Sequence, residues 1–84
     1  MKFGDWVDYA VDGCHRGSGY VIGVPHYSKG YGDVVMLAAD HFHGMPISAK
    51  WCKPTGQSDE GAANLLALRY CDLYPDFLLA RKDA

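Results

Sequence analysis

The sequence DVVMLAAD at residues 33–40 decides the fold, because it holds six consecutive apolar residues between two aspartates. A strand that faces water on one side alternates apolar and polar residues, whereas a strand with both faces covered is apolar throughout. The run has the usual length of a strand and falls far short of a membrane span. It therefore predicts a central strand that is buried on both faces.

Three further stretches predict shorter strands around this central one. The sequence WVDYAV at residues 6–11 alternates between two faces, GYVIGV at 19–24 is rich in β-branched residues, and MPISAKW at 45–51 alternates again. The pair Asp12–Gly13 predicts a tight turn, and the sequence PTG at residues 54–56 is expected to end the strand-rich region. Together these signals predict four or five short strands.

Residues 58–84 are rich in Ala and Leu and predict a helix. Ser58 is expected to be its N-cap, because Asp59 and Glu60 follow where the helix dipole favours negative charge. Pro75 lacks the amide hydrogen that a helix interior needs, so it predicts a break. Residues at 3.6-residue spacing are expected to form the buried face, namely Ala62, Leu66, Tyr70, Leu73 and Phe77, with Leu65 and Leu68 widening it.

Strands followed by a helix predict one α+β domain over residues 1–84. Its strand-rich part is expected at 1–54 and its helical part at 58–84. Short strands cannot all hide their edges in an open sheet. We therefore expect a small antiparallel barrel of four to five strands, with the helix over one open end.

The strand-rich part resembles SH3-like barrels. GDWV at residues 4–7 matches the phrase G-D-x-V with which such domains open, and GYVIGV at 19–24 matches the G-x-V-x-x-V that follows. ISAKW at residues 47–51 stands where the last strand is expected. The resemblance implies a small SH3-like antiparallel β-barrel of 4–5 short strands followed by a C-terminal helix. This fold serves modules that bind protein, RNA and DNA alike, so the resemblance implies no single function.

Composition and charge exclude several classes of protein. The chain has 84 residues and a formal net charge of −2, which disfavours both a dedicated duplex-DNA binder and a strongly acidic DNA mimic. No apolar run follows Lys2, so we expect no secretory signal, no membrane span and a cytoplasmic location. Three cysteines at wide spacings, Cys14, Cys52 and Cys71, indicate free thiols rather than a disulfide framework.

No stretch matches a catalytic motif. GSG at residues 17–19 is neither a nucleophile elbow nor a phosphate-binding loop, and it is typical of a turn. The aspartates of the first strand region, Asp5, Asp8 and Asp12, are expected at strand ends, in turns and on the solvent face. We therefore expect no catalytic residue, no cofactor and no enzymatic activity.

The loop at residues 26–32 is the first candidate binding surface. It combines His26, Tyr27, Lys29 and Tyr31 with glycines, and tyrosine supplies a large contact area at a low entropic cost. This mixture favours a non-enzymatic protein–protein interaction module. By size and composition, the chain is analogous to small accessory or inhibitory proteins of phages and other mobile elements, which act on host or defence proteins. If the barrel leaves the leucine-rich helix partly uncovered, the exposed apolar face predicts a homodimer through this helix.

A single-stranded nucleic acid, RNA or DNA, is the alternative partner. Arg16, Lys29, Lys50 and Lys53 supply positive charge for phosphates. Trp51, with Tyr27 and Tyr31, supplies aromatic rings on which bases stack. This hypothesis requires that these residues meet on one surface.

A metal site is the second alternative. His41 and His43 are two residues apart and would share one face of a strand, and Cys14 and Cys52 are expected at turns or strand ends that approach in a small barrel. The spacing is unlike that of zinc proteins, because no CxxC or HxxxH pattern occurs in the sequence.

Overall fold

A computed structural model describes residues 1–75 and 79–80 of the chain. All strand pairs in it are antiparallel, and the main sheet has the order β4-β3-β2-β1-β5. One α-helix follows this sheet, so the protein is α+β, as predicted. The elements are β1 (Asp5–Val11), β2 (His15–Pro25), β3 (Val34–Ala39), β4 (Phe42–Ser48), a 3₁₀ helix (Ala49–Trp51), β5 (Cys52–Ser58), α1 (Glu60–Leu73) and β6 (Leu79–Ala80), which pairs with the end of β2.

Strand β3 is buried on both faces, which confirms the prediction from its apolar sequence. Met36 and Ala38 point towards α1, and Val35 and Leu37 point to the opposite side. The cluster on that opposite side draws its buried residues from β1 to β4 and includes none from α1. The strands must therefore curve around this cluster themselves. Register shifts in the β1–β5, β2–β3 and β3–β4 pairs supply irregularities of the kind that bend a sheet.

Helix α1 lies over β2, β3 and β4 rather than over an open end of the strands. Its N-cap is Asp59, whose side chain accepts a hydrogen bond from the Ala62 amide at 3.0 Å, so the expectation for Ser58 is wrong by one residue. Ser58 instead ends β5, where it pairs with Asp5. The helix ends at Leu73, two residues before Pro75.

The buried face of α1 differs in part from the predicted stripe. Leu66 and Tyr70 are buried as expected, together with Ala63 and Ala67. The small side chains of the two alanines let the helix approach the sheet. The 3.6-residue spacing alone does not take side-chain size into account. Leu65, Leu68 and Leu73 are exposed, and Phe77 lies outside the described residues.

The last part of the sheet also differs from the prediction. The expected strand at residues 45–51 ends at Ser48, a 3₁₀ turn follows, and β5 runs through the sequence PTG that was expected to end the region. Pro54 is accommodated because β5 is an edge strand and needs hydrogen-bond donors on one side only. The Thr55 hydroxyl donates a 2.7 Å hydrogen bond to the Trp6 carbonyl and holds this edge to β1.

Among the described residues, no helix has both the length and the apolar character that crossing a membrane requires.

Gly44 on β4 tests the contact between the sheet and α1. A Cβ at this position would overlap the ring of Tyr70, which is only 5% exposed and has little room to move. We expect Gly44→Ala to lower the free energy of unfolding by about 1–3 kcal/mol in urea denaturation. Gly32→Ala is the matched control, because no atom lies within 4 Å of the position that an added Cβ would occupy there. An equal effect of the two substitutions would contradict this packing.

Candidate functional site

The outer face of β1 and of the first half of β2 is not covered by α1. Trp6, Asp8 and Ala10 alternate along one face of β1, and the register places Tyr20, Ser18 and Arg16 opposite them on β2. On the other neighbour of β1, Lys53 of β5 stands opposite Asp8. We call the surface formed by Trp6, Asp8, Ala10, Arg16, Ser18, Tyr20 and Lys53 the open face.

A shallow groove of about 520 Å³ occupies one end of the open face. Trp51, from the 3₁₀ helix, forms one wall of it. Lys50 Nζ lies 5.2 Å from the centroid of the Trp51 ring, a cation–π contact. The residues lining the groove are Asp8, Tyr9, Ala10, Arg16, Gly17, Ser18, Trp51 and Lys53.

Two local contacts shape the groove. Gly17 stands opposite Tyr9 on the neighbouring strand, and a Cβ on this glycine would overlap the tyrosine ring, so Gly17 makes room for the ring. The Ser18 hydroxyl donates a 2.6 Å hydrogen bond to Asp8 Oδ1 and fixes the carboxylate between β2 and β5. These two contacts therefore set the positions of the Tyr9 ring and the Asp8 carboxylate, which both line the groove.

The cationic side chains that line the groove have no ion-pair partner among the described residues. Arg16 and Lys53 are exposed, and neither side chain makes a hydrogen bond or an ion pair with another residue of that part of the chain. Lys50 is also exposed, and its Nζ lies over the Trp51 ring. Arg16, Lys53 and Trp51 line one groove with Lys50 beside the indole, so an anionic ligand with flat groups finds both kinds of contact there.

A second, smaller cleft lies at the other end of the open face. It has a volume of about 200 Å³ and is lined by Trp6, Tyr20, Ala39, Asp40 and His41. The rings of Trp6 and Tyr20 meet edge to face, with 4.6 Å between their centroids. Trp6, which lines this cleft, and Ala10, which lines the groove, are four residues apart on β1, which corresponds to roughly 13 Å along the strand.

The loop surface predicted from the sequence lies elsewhere, at the far end of β2. His26, Tyr27 and Lys29 are exposed there, and Tyr27 retains 60% of its surface. Tyr31 is half-buried and packs against both core clusters. The structure therefore brings together four of the five residues proposed for nucleic-acid binding, Arg16, Lys50, Lys53 and Trp51, and leaves Lys29 apart from them.

The predicted metal site is not assembled. His41 lies in the turn before β4 and lines the small cleft, while His43 on β4 has its Nδ1 atom 3.0 Å from Arg69 Nη2 of α1. Cys14 is exposed in the β1–β2 turn and Cys52 begins β5. Strand alternation does not extend into the turn that holds His41, which is why the expectation fails. No group of three His, Cys, Asp or Glu residues in the described ranges is placed to hold a metal.

The sequence did not identify Asp8, Ser18 and Tyr9 as parts of the groove, nor the pairing of Trp6 with Tyr20. The alternation of residues 6–11 already placed Trp6, Asp8 and Ala10 on one face. The missing information was the register between β1 and β2, which decides which side chains of β2 stand beside them.

Comparisons of the chain with models of protein families, with curated proteins and with solved structures gave no match. The functional conclusion therefore depends on the surfaces of the chain itself.

Cysteine reactivity tests the packing of Cys52 against the cluster that the strands enclose. Burial raises the pKa of the Cys52 thiol, and this thiol also donates a 3.6 Å hydrogen bond to the Ser48 carbonyl. A raised pKa means less reactive thiolate at a given pH, so we expect Cys52 to alkylate more slowly than the exposed Cys14 with iodoacetamide near neutral pH. Peptide mass spectrometry measures both rates. Equal rates in the native protein would contradict this, and equal rates in denaturant are the control.

Proposed function

We propose that the strands form an SH3-like barrel and that this barrel binds single-stranded nucleic acid on its open face, without enzymatic activity. The observation that carries the proposal is the groove that Arg16, Lys53 and Trp51 line together, with Lys50 beside the Trp51 ring. The strand order and the curvature of the sheet around its own cluster support the barrel. The groove supplies the surface that this function requires.

The charge distribution supports the proposal despite the formal net charge of −2. Single-stranded nucleic acid binds through phosphates, and its binding depends on the local positive charge of a groove rather than on the total for the chain. Two cations, Arg16 and Lys53, line the groove, a third, Lys50, lies beside its Trp51 wall, and the one carboxylate that lines it is Asp8. Phosphates would take the place of the water that now solvates these cations.

The aromatic residues support a single strand rather than a duplex. Bases stack on protein rings only when they are unpaired, and a shallow groove offers no projecting element that enters a duplex groove. Trp51 lies at one end of the open face, and the Trp6–Tyr20 pair lies at the other. A strand of a few nucleotides is long enough to follow β1 from Trp6 to Ala10, which are roughly 13 Å apart along the strand.

A protein-binding function is the second candidate, because one separate surface favours it. Tyr27 and Tyr74 are exposed, and the ring of Tyr74 lies 5.0 Å from that of the buried Tyr70 of α1. The ring of Tyr27 lies 5.8 Å from that of His26, and both residues belong with Lys29 to one exposed loop that presents tyrosine, a residue common at interfaces. We propose it as the contact site if the chain acts as a small accessory or inhibitory protein of a phage or mobile element. The exposed Leu65 and Leu68 of α1 are the candidate surface for a homodimer.

Fluorescence anisotropy with a labelled oligouridylate of about 12 nucleotides tests the nucleic-acid proposal. We expect binding at low salt, and a loss of affinity as salt increases. Arg16→Ala and Lys53→Ala should each weaken binding and lower the slope of log affinity against log salt by about 0.7. Trp51→Ala should weaken binding about tenfold through lost stacking.

Lys29→Ala is the matched control, because it removes the same charge from the opposite end of β2 and should leave affinity and slope near the wild-type values. Circular dichroism confirms that each variant is folded. Absence of binding at low salt, or an equal loss for Lys29→Ala and Lys53→Ala, would contradict the proposal.

Affinity capture from a bacterial lysate tests the second candidate. A stoichiometric partner should remain bound to the wild-type and Lys53→Ala proteins and be lost with Tyr27→Ala, because truncation removes the exposed ring without changing the groove. A partner that Tyr27→Ala still retains would contradict this surface. Recovery of no partner would count against a protein-binding function.

A further inference from the structure

Asp8 is the one acidic residue that lines the described groove, and it stands among cations. Its neighbours across the strands are Ser18 on β2 and Lys53 on β5. Ser18 donates a hydrogen bond to Oδ1, and Oδ2 accepts none from another residue of the described part of the chain. The side chain is exposed, so this second oxygen is available to a ligand.

A carboxylate restricts which groups of a nucleic acid can contact it. It repels phosphate, and because it only accepts hydrogen bonds, the ligand must supply a donor. The sugar–phosphate backbone of DNA has no donor, whereas the backbone of RNA has one on every sugar, the 2′-hydroxyl. Bases also carry donors, but these are the same in both kinds of strand when the base is the same.

The position of Asp8 favours the sugar as its contact. Asp8 lies on β1 midway between Trp6, which lines the small cleft, and Ala10, which lines the groove together with Asp8, about 7 Å from each along the strand. A strand whose bases stack at both ends must carry its backbone across this midpoint. Lys53 and Arg16 flank Asp8 and would meet the adjacent phosphates, which leaves the sugar between them to meet the carboxylate.

We infer that the groove selects RNA over DNA of the same base sequence, with Asp8 accepting a hydrogen bond from a ribose 2′-hydroxyl while Ser18 holds the carboxylate in place. The inference rests on the proposed function and narrows its ligand to RNA. Hydrogen bonds to charged groups are among the stronger ones, so the expected preference is about tenfold or more.

The experiment compares oligouridylate with oligodeoxyuridylate of the same length, since the two differ only in the 2′-hydroxyl. Anisotropy titrations of the full chain should show RNA binding at least about tenfold tighter than DNA. Asp8→Ala should bring the two affinities within about twofold, by weakening RNA binding and relieving the repulsion of DNA. Asp72→Ala is the matched control, because it removes an equal charge from the exposed side of α1 and should keep the preference.

The outcomes separate this inference from the proposed function. Equal affinity of the wild-type protein for both oligonucleotides would overturn the RNA preference and leave nucleic-acid binding in place. A preference that Asp8→Ala retains in full would overturn the role of Asp8. Binding of neither oligonucleotide at low salt would overturn the proposed function itself. Loss of the preference in Asp72→Ala as well as in Asp8→Ala would also contradict the inference, because it would trace the effect to net charge.

Discussion

The need to bury both faces of β3 determines the rest of this structure. An apolar strand without an exposed side requires a layer on each face, and the chain has one helix in its described part to supply one of them. The second layer has to come from the sheet itself, which curves so that side chains of β1, β2, β3 and β4 enclose a common cluster. Curvature and the position of α1 thus have the same cause.

The candidate site lies on the part of the sheet that α1 is too short to cover. A helix of 14 residues spans about 21 Å and covers β2, β3 and β4, so among the described residues it does not extend over the outer face of β1, β5 and the first half of β2. The alternation along β2 shows the boundary. Arg16 and Ser18 face solvent, Tyr20 borders the helix-side cluster, and Ile22 is fully buried within it. Polar and aromatic residues occupy this part because α1 does not shield it from water.

The sequence indicated the elements more clearly than their arrangement. The apolar run of β3 and the alternation of β1 depend on local pattern, and both are present in the structure. The start of α1 was wrong by one residue, because Ser58 and Asp59 are both good N-caps and only the pairing of Ser58 in β5 decides between them. The 3₁₀ turn at Ala49–Trp51 was missed, because its residues alternate like a strand and the break depends on tertiary packing.

Several residues of the candidate site were identified from the sequence, but the sequence did not show that they lie together. Arg16, Lys50, Lys53 and Trp51 were identified from charge and aromatic character. That Arg16, Lys53 and Trp51 meet in one groove, with Lys50 beside the indole, depends on the β1–β2 and β1–β5 registers, which no local signal specifies. Tyr31 shows the opposite case. It belongs by sequence to an exposed loop, yet it packs against both core clusters, because its ring is large enough to reach them.

An NMR titration tests the central claim most directly, because it locates the ligand on the protein without any substitution. Oligouridylate is added to the labelled full chain, and the nitrogen–proton correlation spectrum is followed at low salt. Binding on the open face predicts that the largest shifts occur at the Trp51 indole and at the amides of Arg16, Ser18 and Lys53. Shifts confined to Tyr27 and the exposed side of α1, or an unchanged spectrum, would contradict the assignment of the open face as a nucleic-acid site.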